Sequence, residues 1–305
     1  MNYLKKNILL NILLFVSVVI LFDFAIGSTL KKYYYTQKGG PLYDVTYAID
    51  KAKEDIIIIG SSKAHHHYKT SVFDSSLRMS FYNAGQNGQY LFYYYSVLES
   101  LLKRHTPKLV LLDLRKDELR LDSRAYERLN ALLPYYQNHP EIRQVLDLRG
   151  EVEKIKQLSF IYPYNSLALA IVKNNISNNI DKQNDKGYIP LYGNYDLPLK
   201  PENDVYSDEK PELDSNKVKI YELFIQDCKR RNIKLVVINS PYYFHNEETL
   251  SNRVAKSIAQ KNNIPFWDYS NFLSERKHYF KDHAHLNDTG ADIFSKVIVD
   301  RVANL

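Results

Sequence analysis

Asp55-Ile56-Ile57-Ile58-Ile59-Gly60-Ser61-Ser62-Lys63-Ala64 is the stretch on which the reading of this chain turns. Four β-branched apolar residues in a row make a strand that can be buried on both faces, the usual first strand of a parallel sheet. Gly60 ends it, and small hydroxyl residues follow where a helix is due. A serine there sits at the carboxyl end of a central strand, where α/β folds gather their chemistry. Backbone N–H groups at the start of the next helix also favour negative charge nearby. The plainer alternative is that Ser61 and Ser62 only cap that helix. The tetrapeptide alone favours the plainer role.

The alternation continues on both sides of this stretch. A short helix is expected over Tyr43 to Lys53, and a short element near Ser71 to Leu77 follows the histidine-rich segment. Ser80 to Ala84 reads as a second strand, running into Gly85-Gln86-Asn87-Gly88. Leu91, Tyr94, Tyr95, Leu98, Leu101 and Leu102 recur at helical spacing within Gln89 to His105. Pro107 stops that helix, and Lys108 to Leu114 is a third buried strand. Strand and helix alternate again from Asp214: a helix to Arg231, a strand over Lys234 to Ser240, and a helix over Glu248 to Asn262. A short strand at Ile264 to Tyr269 and a last helix over Asp288 to Val302 close the pattern. Right-handed crossovers then give an α/β fold, a flavodoxin-like three-layer sandwich around about five parallel strands.

Between about Leu119 and Leu213 the alternation stops. Helical stretches are expected over Glu141 to Gln157 and Asn165 to Ile180, and Gly187 to Pro211 reads as irregular loop. This mainly helical and irregular insertion is expected over the top of the sheet, as a lid or substrate platform.

Composition sets the outer limits. The chain has 305 residues, 45% hydrophobic and 25% charged, as a foldable globular protein does. Its net charge of +6 is spread among interleaved acids, so nucleic acid is not an expected partner. Lys63, Arg115 and Lys116 read as solvated charge, and the 26 tyrosines as surface and cleft residues. The single Cys228 excludes an internal disulfide framework and any zinc site built on several cysteines.

Asn7 to Leu30 contains one charge, Asp23, and lies between Lys5-Lys6 and Lys31-Lys32. An apolar run of this length can span a bilayer as a helix. The expected division is a membrane anchor over 1–31 and an α/β domain over 32–305. An N-terminus in the cytoplasm and a C-terminal domain outside it, periplasmic or extracellular, is the favoured orientation, because a large domain follows one segment. A cleaved signal peptide is the rival, since Ala25-Ile26-Gly27 resembles a small-residue cleavage site.

Asp282-His283-Ala284-His285-Leu286-Asn287 stands immediately before the last helix. An acid three residues ahead of a histidine can hydrogen-bond the imidazole and fix its tautomer. A histidine held so can take the proton of a serine hydroxyl, and Ser62 is expected at the same end of the sheet. In Asn83-Ala84-Gly85-Gln86-Asn87-Gly88-Gln89 the glycines permit close backbone approach, so the Gly88 N–H can join the Ser62 N–H in an oxyanion hole. Ordinary surface or capping roles for Asp282 and His285, and a plain tight turn at the glycines, are the alternatives. The run His65-His66-His67 invites a metal, with Asp282, His283 and His285 as partners. Consecutive residues of an extended segment point to opposite faces, so no metal or other cofactor is expected. One of the three histidines is expected in the wall of the site, the others in solvent.

These three blocks together resemble the SGNH (GDSL-type) hydrolase superfamily. Its members carry a G-D-S block, an N-x-G/S-x-x-G block and a final D-x-x-H-L-N block. The resemblance covers residues 55 to 118 and 234 to 305. It implies Ser62 as nucleophile, Gly88 as oxyanion glycine, His285 as base and Asp282 as the acid that orients it. Gly60-Ser61-Ser62 has serine where the family name has aspartate, as in envelope-bound DltD-like and alginate-acetylation proteins. A second departure is Leu114-Arg115-Lys116-Asp117, where the family reads G-x-N-D. Asp117 stands at the oxyanion asparagine, and an ionised carboxylate repels a developing oxyanion instead of donating to it. The resemblance implies a membrane-anchored serine esterase or O-acyltransferase acting, through an acyl-enzyme, on an acylated, expectedly acetylated, cell-envelope or exported polysaccharide. A membrane acyltransferase is a further candidate partner. The alternative is a catalytically inactive protein of the same fold that binds carbohydrate or assists polymer export.

Overall fold

The computed structural model describes residues 2–176, 186–196, 212–245 and 247–305. Helix α1 (Asn2–Tyr35) and α2 (Pro41–Asp50) come first, then β1 (Ile56–Gly60), α3 (Ser62–His67) and α4 (Thr70–Ser76). Next are β2 (Phe81–Asn83), α5 (Leu91–Leu102), β3 (Leu109–Asp113) and α6 (Ser123–Glu127). Short helices α7 (Pro140–Leu146), α8 (Val152–Lys156) and α9 (Ala168–Ile176) follow, joined by 3₁₀ turns. The chain ends with α10 (Ser215–Arg230), β4 (Lys234–Asn239), α11 (Leu250–Lys261), β5 (Phe266–Asp268) and α12 (Asp288–Val302).

The five strands form one parallel sheet in the order β2-β1-β3-β4-β5. This is the α/β sandwich expected from the strand and helix alternation. Every residue of β1 and β3 is buried, which is why both read as unbroken apolar runs. Alternate residues serve the two faces. Ile56, Ile58, Leu109, Leu111, Val236 and Ile238 share one core with Tyr68 and Phe73 and with Phe294 and Ile298 of α12. Ile57, Ile59, Val110 and Leu112 serve the other face, where α5 and α10 meet through the 2.8 Å bond from the Tyr95 hydroxyl to Asp227 Oδ2. The buried tyrosines correct the surface reading: Tyr68, Tyr93, Tyr94 and Tyr221 are core residues.

In this strand order the direction of winding reverses between β1 and β3, and the crevice beyond their carboxyl ends is where such folds bind ligands. Gly60 pairs with Asp113 across that point. A side chain on Gly60 would begin 2.8 Å from both the Asp113 carbonyl and Ala64 Cβ, so glycine lets the Ser61-Ser62 turn fold back on the sheet.

The chain divides into two compact units: Asp44–Leu129 with Asp181–Leu305, which carries the sheet, and Met1–Tyr43 with Asn130–Ile180. The segment expected as one insertion is thus shared between them. Within the first unit, its two ends are tied at the base, where Leu121 N–H donates to the Glu212 carbonyl at 2.8 Å and Asp214 N–H to Leu119 at 2.9 Å. The single helix expected over Glu141 to Gln157 is broken, because Gly150 takes a φ of +105° after the 3₁₀ turn Asp147–Arg149. Residues 187–196 of the expected loop carry no helix or strand, and 177–185 and 197–211 lie outside the described residues. In the second unit, α1 is long and apolar enough to cross a membrane by length and composition. Its residues from Ile8 to Phe24 expose large apolar side chains.

Candidate active site

Ser61 is the N-cap of α3, its hydroxyl accepting the Lys63 N–H at 3.3 Å. The capping role therefore falls to Ser61, and Ser62 is left as the first residue of the helix with its hydroxyl directed elsewhere. Ser62 Oγ lies 2.8 Å from His285 Nε2. His285 Nδ1 lies 2.9 Å from both Asp282 carboxylate oxygens. A carboxylate only accepts, so Nδ1 carries the proton and Nε2 offers its lone pair to the serine hydroxyl. Asp282 Oδ1 also accepts the N–H groups of Ala284 at 2.8 Å and His285 at 2.9 Å.

The tight D-x-x-H turn explains how the acid is held. Burial alone would raise the Asp282 carboxyl. The bonds from His285 and from the two N–H groups outweigh it and bring the carboxyl from 3.8 down to about 2. A depressed acid stabilises the fold above its unfolded value and loses that contribution as pH falls through the folded one. The stability difference between the parent and Asp282→Asn is accordingly expected to be full at pH 5 and to shrink steadily between pH 4 and pH 2. Urea midpoints across that range measure it, and a gap that widens on acidification would contradict this picture.

The Asn83 block is clamped to helix α3. Asn83 Nδ2 donates to the Ala64 carbonyl at 2.7 Å while its Oδ1 accepts the Gly85 N–H at 2.9 Å. Gly85 has no room for a side chain, since a Cβ would stand 2.5 Å from the His65 nitrogen. Gly88 takes a φ of +70°, a conformation glycine adopts without strain. Among the described residues, neither the Ser62 nor the Gly88 N–H donates to a protein acceptor. Asp117 sits half-buried in the turn after β3, and among the described residues no hydrogen bond joins its carboxylate to Ser62 or Gly88.

The three histidines correct the extended reading of their segment. They lie in α3, all are buried, and none meets solvent. Their nitrogens go in three directions: His65 Nδ1 to Asn87 Oδ1 at 3.0 Å, His66 Nδ1 to the Ile189 carbonyl at 2.7 Å, and His67 Nε2 to the Leu286 N–H at 3.0 Å. Burial pushes all three below the usual imidazole range, His65 to about 4. A neutral His67 thus accepts from the loop that carries His285, and the His66 ring stands edge-on to His285 at 5.5 Å.

Lys63 is the residue that sequence reasoning misplaced most. It is 2% exposed, donates to the Ser240 carbonyl at 2.6 Å, and lies 3.0 Å over the Tyr242 ring. Burial pulls its amine well below the ordinary range, against the attraction of Asp113. Asp113 is itself fully buried and raised by that burial, and its Oδ2 accepts the Tyr68 hydroxyl at 2.7 Å. Arg128 is a second residue that no motif marks. Its exposed guanidinium carbon stands 3.7 Å from where a Gly88 side chain would begin.

No known family profile and no curated protein matches this chain. Among solved structures, it is similar to a lipase/acylhydrolase from Enterococcus faecalis, at 11% identity and a TM-score of 0.40, over 82% of this chain and 95% of that one. An acetyl xylan esterase is similar at 13% identity and a TM-score of 0.39, over 82% of this chain and 98% of the other. A two-domain esterase active on acetylated mannans matches at 12% identity and a TM-score of 0.42, over 89% of this chain and 57% of its own. The likeness to all three is one of chain trace.

Proposed function

We propose that this protein is a membrane-anchored, extracytoplasmic serine acyl-transfer enzyme, an esterase or O-acyltransferase of the SGNH type, acting on acylated envelope carbohydrate. One observation carries the reading: the continuous chain of hydrogen bonds from Ser62 Oγ through His285 to Asp282. In the mechanism, His285 Nε2 takes the Ser62 proton as Oγ attacks the ester carbonyl. The N–H groups of Ser62 and Gly88 receive the oxyanion. His285 then returns the proton to the departing alcohol, leaving an acyl-enzyme. Water resolves it in hydrolysis; a sugar hydroxyl resolves it in transfer. Asp282 stays ionised throughout and holds the imidazole tautomer. The anchor is α1, with the α/β unit outside the cytoplasm. The substrate class follows from the resemblance of the sequence to envelope acyl-transfer proteins.

The test is labelling of the full-length protein in detergent by a fluorophosphonate, together with acetate release from an acetylated sugar. Both are expected in the parent. A well-folded parent that shows neither supports the second reading, a binding or assembly protein that keeps the fold. Asp117 is the specific observation behind that alternative. Replacing it separates the two: Asp117→Asn supplies a neutral donor and is expected to raise kcat by about tenfold or more, since one oxyanion donor commonly contributes a factor of about 10²–10³. An inert protein that stays inert in this variant would be the binding protein.

A further inference from the structure

Helix α8 is arranged in reverse of a helix that faces water. Glu153 in α8 and Gln157 just after it are buried, and Glu153 accepts the Tyr162 hydroxyl at 2.6 Å and pairs with Arg149 at 3.4 Å. The apolar residues of α8 and of the turn after it point outward instead. Val152 is 62% exposed, Ile155 67%, Leu158 79% and Phe160 49%. A helix in water places its apolar stripe inward, and a contiguous exposed apolar patch marks a surface with a partner.

The depth of this patch follows from what it touches. Asp23 is the one charge within the apolar run of α1. Its carboxylate accepts the Ser159 hydroxyl at 2.6 Å, the Phe160 N–H at 2.7 Å and the Ile161 N–H at 3.2 Å. Gly27 lies against the Phe160 backbone, where any side chain would collide, and the Phe24 and Phe160 rings meet edge to face at 5.1 Å. Residues 158–161 are therefore level with Asp23 to Gly27. A span of about 20 residues counted from Asn7 ends near Ile26. If α1 spans the bilayer, that level is the outer margin of the hydrocarbon.

We propose that residues 152–160 form a membrane-embedded collar, lying in the outer leaflet beside α1 with Val152, Ile155, Leu158 and Phe160 in lipid. This rests on the reading of α1 as a membrane span. The segment is too short to cross, so it lies in the plane of the interface. Exposed Lys154 and Lys156 and the nearby Tyr162 supply the cationic and aromatic groups that interfaces favour. Asp23 is explained by the same arrangement. An ionised carboxylate at this depth needs donors, and residues 159–161 bring three.

The experiment uses the full-length protein in phosphatidylcholine/phosphatidylglycerol vesicles, with an environment-sensitive fluorophore on one introduced cysteine at a time. Native Cys228 is fully buried in α10 and stays in place. Labels at Ile155→Cys and Leu158→Cys are expected to be quenched by lipids doxyl-labelled near the headgroup at least threefold more than one at Lys219→Cys. A label at Leu14→Cys should be quenched by a deep doxyl group. Adding Asp23→Ala should halve the Leu158 quenching or more and leave that at Leu14 unchanged. Leu14 quenched with Ile155 and Leu158 at the Lys219 level would overturn the collar and leave the span standing. Leu14 unquenched as well would overturn the span and the collar with it. A blue-shifted but unquenched Leu158 label would mean a protein covers the patch, and would overturn the lipid assignment.

Discussion

Ser62→Ala is expected to abolish fluorophosphonate labelling and to lower kcat for a small acetyl ester by about 10⁴ or more, with KM little changed. In the proposed mechanism the hydroxyl at 2.8 Å from His285 Nε2 is the group that bonds to the acyl carbon. His285→Ala should cost nearly as much, because the serine then has no base. The two losses should not add. Once the proton cannot be moved, removing the nucleophile as well changes little, and the double variant should match the worse single one. Asp282 acts one step back, through the His285 tautomer. Circular dichroism and a thermal midpoint close to the parent's are needed beside each rate. A Ser62→Ala protein that retained a tenth of the parent activity would remove Ser62 from the mechanism.

Lys63→Met is expected to destabilise the protein by about 3 kcal/mol, the upper end for leaving a buried group without its hydrogen-bond partner. Methionine keeps the stem and its contact with the Tyr242 ring but takes away the donor to Ser240. Asp113 stays fully buried, with the Tyr68 hydroxyl donating to its Oδ2. Adding Asp113→Asn removes the uncompensated charge and still leaves an oxygen for Tyr68. The double variant should recover about 1–3 kcal/mol of the loss, the usual range for residues coupled in one network. Urea unfolding of the parent, both single variants and the double variant gives the coupling directly. A loss under about 1 kcal/mol for Lys63→Met would mean that the Ser240 carbonyl does not depend on the amine.

The histidines and Lys63 show where sequence reasoning stops. A lysine and three histidines after a strand look like a solvated stretch, since such residues are seldom fully buried. They are buried here because α12 and the loop from Phe280 to Leu286 close over α3, with the Leu286 N–H bonded to His67 and Ser295 Oγ to the Lys69 N–H and His67 carbonyl. Those partners are more than two hundred residues away along the chain, and no local pattern announces them. The break at Gly150 was different. Its signal was in the sequence, a lone glycine in a helical run, and the structure uses it at positive φ.

What the sequence by itself determined was local. The runs Ile56–Ile59 and Leu109–Leu112 had to be buried strands, and the apolar stripe after Asn287 had to be a helix, because side-chain period and β-branching act over a few residues. The Asp282–His285 bond was legible for the same reason, as both groups belong to one turn. The approach of Ser62 to His285, 223 residues apart, was decided only by tertiary structure. It depends on a parallel sheet in which β1 lies between β2 and β3 and every strand ends on the same side. The placement of residues 159–161 beside Asp23 was decided in the same way, by three hydrogen bonds across more than 130 residues of chain. Propensity cannot encode such distances, because they are set by which buried faces and unsatisfied polar groups find each other on folding.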